Sequence, residues 1–433
     1  MAIISVSTDS QLTTAMNNAS GGDVVYLEPG VQFGRFAFTG LGYPSEVTVT
    51  TDPANPAKIK GFSNVNGSGK IRLKYLTVNP TKADQPGNAM GTTGTTFFWS
   101  NSHDCWVDSC RMKGALGTTT GLTAAARDAE AVYSANVWSN CHNGGMVNTE
   151  VHEYRYLMLI NGGSDGQVIR GNFLHDWTEG DACQWQQAST NLTFDENYVT
   201  AFKVVYSAIP IANRVHADIL QASTGPDSNL IARGNFFCQP YTKFGTVAPY
   251  GDVTQDFFLP TGGGTLLLEN NVLFGSHNNI MRAGGFTSSV IKNNTVLRNM
   301  WNPPSTANKT LIDLAGAAPG PHVLDSNVAR QIAVGSTPNV SQVNNLIITE
   351  TGYAANFVNI KHDGTETFDD LRAKAGSSVI TAGAGSIYTR TTGTYPAGYI
   401  LADSLYNGGS GGGGGSTGGT RLQLPRSLSF RTI

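Results

Sequence analysis

Three acids recur in one apolar frame. The stretches GDACQW at 180–185, ADILQA at 217–222 and QDFFLP at 255–260 align Asp181, Asp218 and Asp256, at intervals of 37 and 38 residues. Two residues earlier stand Glu179, His216 and Thr254. In a strand, residues i and i+2 share a face. The alignment therefore predicts Glu179, Asp181, His216 and Asp218 as a cluster on the outside of adjacent strands, with Asp256 one strand beyond. Such carboxyls can serve as acid, base or nucleophile, and His216 can move a proton at neutral pH. Glu179, Asp181 and Asp218 together could take Ca2+ through hard oxygen ligands. The same acids could also be a stacked structural ladder or a solvated face. Gln184 and Gln221 repeat with the acids as D-x-x-Q, and i and i+3 fall on opposite faces of a regular strand. One member of each pair must then face inward or lie at a bend.

The connections before Asp218 and Asp256 are long, whereas that before Asp181 is short. The long ones carry Lys203, Tyr206, Arg214, Tyr241, Lys243 and Tyr250. Aromatic and cationic side chains beside carboxylates suit a sugar groove: flat faces for rings, charge for their substituents. His175, followed by Asp176, is expected on its rim. The pairs His103–Asp104 and His152–Glu153 read as isolated and structural. No Gly-rich phosphate loop, HExxH or GxSxG is present.

The chain around these residues is repetitive. Glycine supplies 51 of 433 residues, about 12% against a usual share of roughly 7%. Charged residues are 14% and the net charge is −3. That balance excludes a disordered chain and gives no field for nucleic acid. No apolar run reaches the length of a membrane span. Short β-rich runs alternate with polar turns from about 45 to 350, among them KIRLKYLTV, QVIRGNFLHDW, NLTFDENYV, NLIARGNFF, TLLLENNVLF and VIKNNTVLR. Each holds a turn Asn: Asn172, Asn197, Asn235, Asn271, Asn294 and Asn327, at intervals of 25, 38, 36, 23 and 33. The shorter intervals are the bare repeat and the longer ones carry inserted loops. Asn tolerates left-handed backbone, and stacked Asn side chains can bond along a ladder.

A repeat of this size with several short strands is one coil of a β-solenoid. About 12–14 coils stacked at roughly 4.8 Å would give a rod near 60 Å long. Leu12, Ala15, Met16 and Ala19 form one face of a short helix behind Asp9 or Ser10, suited to capping an open solenoid end. Five cysteines, Cys105, Cys110, Cys141, Cys183 and Cys238, are too sparse and odd in number for a disulfide framework. They read as small buried hydrophobes.

The cap helix with GGDVVYLEPG and the Asn-turn coils resembles the right-handed parallel β-helices of the pectate-lyase-like superfamily. Asp370-Leu371-Arg372, Gly376-Ser377 and Ala382-Gly383 resemble the element that ends such helices. The resemblance spans residues 9–385. It implies an all-β, single-stranded right-handed parallel β-helix with an N-terminal capping helix. The division is then 1–30 cap and first strand, 31–350 β-helix, 351–403 closing element, 404–419 glycine-rich linker and 420–433 tail. The superfamily holds polysaccharide lyases, glycoside hydrolases and bacteriophage tailspikes. Carboxyls on adjacent coils would suit hydrolysis. An elimination would need a base such as His216, Lys203, Arg214 or Tyr206, and a cation against the uronate.

The tail TRLQLPRSLSFRTI alternates Arg and apolar residues behind GGSGGGGGSTGG, which reads as a tethered docking strand for another subunit or virion protein. The opening MAIISVSTDSQ lacks the charged and apolar regions of a signal peptide. The expectation is a virion tailspike or tail-fibre-like appendage, a homotrimer by resemblance, that binds and depolymerises a host surface polysaccharide. The alternatives are a secreted polysaccharide lyase or hydrolase, and a non-catalytic structural or adhesive particle protein.

Overall fold

Alternating burial along short strands leaves each coil with one apolar face, and stacking is the way to bury it. A computed structural model describes residues 1–60, 63–80, 95–114, 134–177, 181–200, 218–222, 227–238, 255–260, 262–275, 281–298, 312–360 and 366–407. Among them three sheets run the length of the chain, with 13, 12 and 11 strands. Every pairing between their strands is parallel, as in Phe173–His175 on Glu150–His152. Each coil visits the sheets in a fixed order, here termed sheets 1, 2 and 3. Val168–Arg170 lies in sheet 1, Phe173–His175 in sheet 2 and Cys183–Trp185 in sheet 3. The fold is the expected right-handed parallel β-helix. Thirteen coils at about 4.8 Å reach about 60 Å.

The bore is filled by stacked columns. Met112, Val151, Leu174, Val199, Phe237, Leu273, Val296 and Ala329 occupy one register position of sheet 2, each at most 1% exposed. Each such side chain contributes roughly 1.5–3 kcal/mol by burial. All five cysteines are buried and free. Burial pushes the thiols of Cys105 and Cys110 up to about 12 and that of Cys141 up to about 11, as expected of packing residues. The outer face of sheet 1 carries alternating charge: Arg170, Asp195, Arg233, Glu269, Lys292 and Asp325 follow one another in register.

The corner from sheet 1 to sheet 2 has two residues in every coil from Lys74–Thr77 to Val343–Leu346. In all ten cases the first is left-handed, with φ between 49° for Asn148 and 66° for Gly171. The second is the ladder position: Asn172, Asn197, Asn235, Asn271, Asn294, Asn327 and Asn345. Left-handed tolerance thus belongs to the residue before the ladder Asn, a correction to the sequence reading. The ladder itself is present. Asn197 donates its backbone N–H and its Nδ2 to Asn235 Oδ1, both at 3.0 Å, and Asn235 does the same to Asn271 at 3.0 and 2.9 Å. The remaining Nδ2 hydrogen of Asn235 reaches Phe194 O at 2.7 Å. Every amide is satisfied inside a buried turn, which only Asn among short side chains can do.

The helix Asp9–Asn18 buries Leu12, Ala15 and Met16 over the first coils. Its N-cap is Thr8, one residue before the expected Asp9, with Oγ1 accepting from Gln11 N at 3.2 Å. At the other end, residues 353–407 run back along the outer face of sheet 2 as a strap. Tyr353, Phe357, Phe368, Leu371 and Val379 pack there on Phe236, Val272, Phe274 and Leu297. The quoted motif builds this strap. Arg372 donates to Tyr388 O at 2.6 Å and to Thr391 O, and its guanidinium lies over Phe368 and Tyr395. Ser377 and Gly383 cap the helix Ser378–Ala382. The last helix, Ala397–Asn407, extends past the expected linker start at 404. Residues 408–433, including the tail 420–433, lie outside the described residues.

Candidate functional site

The second corner, from sheet 2 to sheet 3, differs in every coil. It takes two residues between Ala329 and Ile332, three between His152 and Tyr156, and twenty between Lys113 and Ser134 (114–133). The insertions before Thr95, Asp218, Gln255 and Ile312 also fall here. Insertions confined to one side of a solenoid mark the side that meets a ligand. The candidate acids lie where sheet 3 begins at this corner.

Asp181 and Asp218 are in register, as Cys183 pairs with Leu220 and Gln184 with Gln221. The outside placement expected for the acids is corrected. Asp181 shares its strand face with Cys183 and Trp185, and Asp218 with Leu220 and Ala222, all buried. The D-x-x-Q question is thereby settled: the acids face inward and the glutamines outward, with Gln184 Nε2 3.5 Å from Gln221 Oε1. Asp256 is also buried, but Asp218 pairs with Gln255, so Asp256 stands one position out of the expected column. The alignment failed there because the third strand begins its apolar run one residue later.

Asp218 donates its backbone N–H to Asp181 Oδ1 at 2.9 Å. Burial, and then the neighbouring Asp218 carboxylate, push Asp181 well above the usual carboxyl range. The same two causes raise Asp256. Asp181 therefore holds a proton at neutral pH beside a second carboxyl. Glu179, Lys203, Tyr206, Arg214 and His216 lie outside the described residues, and so does a full Glu179–Asp181–Asp218 set for Ca2+.

A second cluster bounds the corner from the end of sheet 2. His152 pairs in register with His175, and their rings stack at 4.7 Å with 7° between planes. His175 Nδ1 lies 2.8 Å from Asp176 Oδ2 and Nε2 3.2 Å from Glu150 Oε1. Arg111 Nε lies 2.6 Å from Glu150 Oε2. Burial opposes the charge on His175, but Asp176 and Glu150 outweigh it and its pKa is raised. Burial likewise opposes the Glu150 carboxylate, and His175, His152 and Arg111 together lower it. His175 is thus brought to the corner as expected. His152 is not an isolated structural pair with Glu153. Glu150 and His152 escaped the sequence reading, yet the signal was there: His152 and His175 are 23 residues apart, the length of a bare coil.

A further concavity of about 460 Å³ lies between sheet 1 and the strap, lined by Arg170, Asp195, Arg233, Glu269 and Tyr388. Its groups serve each other: Arg233 Nη2 meets Asp195 Oδ2 at 2.6 Å, and Tyr388 donates to Glu196 at 3.0 Å.

No protein-family model and no curated protein matches the chain. Solved structures match its fold. An alginate lyase from Paenibacillus sp. is 12% identical at a TM-score of 0.45, over 69% of this chain and 95% of that one. A pectate lyase is 14% identical at 0.38, over 91% and 93%. The Dettilon tailspike protein is 11% identical at 0.41, over 77% and 64%. At these values the likenesses agree with the rod and bear on no activity.

Proposed function

We propose that the chain binds and hydrolyses a host surface polysaccharide at the corner between sheets 2 and 3, as part of a tailspike-like virion appendage. The observation that carries this reading is the Asp181–Asp218 pair, two carboxyls stacked on adjacent coils where the insertions gather. One is held protonated by burial and by the other's charge, which is how a site divides acid from base. Strands about 4.8 Å apart suit the roughly 5–5.5 Å of a retaining hydrolase. Asp181 gives its proton to the glycosidic oxygen as the C1–O bond breaks, and Asp218 attacks C1. Water, losing a proton to Asp181, then releases the sugar from Asp218. The tyrosines and cations of 201–217 and 239–254 support glycan binding, and the basic-apolar tail 420–433 supports docking to a second copy or another virion protein.

Incubation of the full chain with bacterial surface polysaccharides should release new reducing ends without near-ultraviolet absorbance. Asp181→Asn should lower that rate at least about 100-fold with its circular dichroism unchanged. An undiminished rate would sink the assignment. Unsaturated products would instead favour elimination. That second reading has one observation behind it: His152, buried at this corner, has no hydrogen-bond partner on either ring nitrogen.

A further inference from the structure

We infer that Glu150 Oε1, His152 Nε2 and His175 Nε2 form a binding site for a divalent transition-metal ion, Zn2+ in the first place. The three groups project from the outer face of two adjacent coils, and their candidate ligand atoms lie within 4.8 Å of one another. All three residues are buried, at 3%, 6% and 3% exposure. The second, independent observation is His152. It is more than nine-tenths buried and neither ring nitrogen has a hydrogen-bond partner, a costly state for a polar ring.

The surroundings orient each ligand. Asp176 Oδ2 takes the Nδ1 hydrogen of His175 at 2.8 Å, which leaves Nε2 as the donor atom. Glu153 Oε1 lies 3.4 Å from His152 Nδ1, the same relation one coil earlier. A carboxylate behind each ligating imidazole is the usual outer support of a metal site. Arg111 holds the other oxygen of Glu150 at 2.6 Å, so Oε1 is the free one. Ligands at 2.0–2.2 Å from a tetrahedral ion lie about 3.3 Å apart, and His175 Nε2 is 3.2 Å from Glu150 Oε1. A proton bridges these atoms in the metal-free chain, and an ion would replace it. Two imidazoles with one carboxylate favour Zn2+, Co2+ or Ni2+ over Ca2+, which prefers six to eight oxygens. Three protein ligands leave a fourth position for water.

The test uses the untagged full chain, stripped with chelator and titrated calorimetrically with ZnCl2. One equivalent should bind, and a tenfold excess of CaCl2 should not compete. Co2+ in its place should give the visible bands of a tetrahedral site. His152→Ala should weaken binding at least about 100-fold, and Glu153→Gln about 10-fold, as outer-support changes do. Glu153→Gln removes no ligand and disturbs packing least, so it keeps the test valid if His152→Ala misfolds. Failure of the wild-type chain to bind Zn2+, or equal binding in both variants, would overturn the site. Neither outcome bears on glycan hydrolysis, whose readout is separate.

Discussion

The two corners that flank sheet 2 solve the same geometric problem in opposite ways. One turns the chain with two residues in every coil, a left-handed residue and then a buried amide, and its hydrogen bonds close on themselves. The other spans two to twenty residues and gathers carboxyls and imidazoles whose bonds do not close: Glu150, His152, Asp218 and Asp256 all keep buried polar atoms without a hydrogen bond. Uniform length gives the first corner its ladder. Variable length gives the second its chemistry, because each insertion can change without shifting the register of the coils.

Mutations at the two corners should therefore differ in size and in sign. Asn235→Ala strands the N–H and Nδ2 of Asn197 and removes the bond to Phe194, so a loss on the order of 3–5 kcal/mol is expected from denaturant midpoints. A loss below 1 kcal/mol would show that the ladder is ornamental to stability. At the other corner the sign should reverse. Asp181 has a raised pKa, so its contribution is fully present below the unfolded carboxyl pKa and is lost as pH rises through the folded one. Asp181→Asn should raise the melting temperature by a few degrees at pH 8, by roughly 2–4 °C per kcal/mol in a chain of this size or larger, and change it less at pH 4.

Asp227 offers a control with the same chemistry away from the loop corner. Burial pushes it up to about 7, against a bond from Ser189 N at 3.0 Å. The dependence of stability on pH between about 4 and 7 should flatten in Asp227→Asn, which keeps that acceptor. The smallest effect should come from shortening residues 201–217 to the three residues of 178–180. Loop closure costs change by about 1 kcal/mol or less, so melting should barely move while glycan retention is lost. A large destabilisation would mean that the insertions support the coils.

The repeat was legible because inward columns and turn asparagines recur with the coil. The helix face at Leu12, Ala15 and Met16 was legible from its 3.6-residue period. The acids were found by alignment, but their direction was not, since a period of two does not say which face is the core when a strand such as Asp218–Ala222 is buried on nearly every residue. The one-residue offset of Asp256 has the same origin. Glu150 and His152 were passed over because His–acid dipeptides were weighed singly. Laid in the coil frame, His152 falls on His175.

The strap also bears on how the molecule can be made. Most contacts in the rod join neighbouring coils, so coils can form in order as the chain is synthesised. The strap cannot: Tyr388 finds its partner Glu196 across 192 residues, and Ser386 reaches Asn270 across 116. Phe236, Val272 and Phe274 are therefore left with an uncovered apolar face until the last 50 or so residues arrive. The slow and aggregation-exposed moment in the life of this protein is the interval between the last coil and the strap.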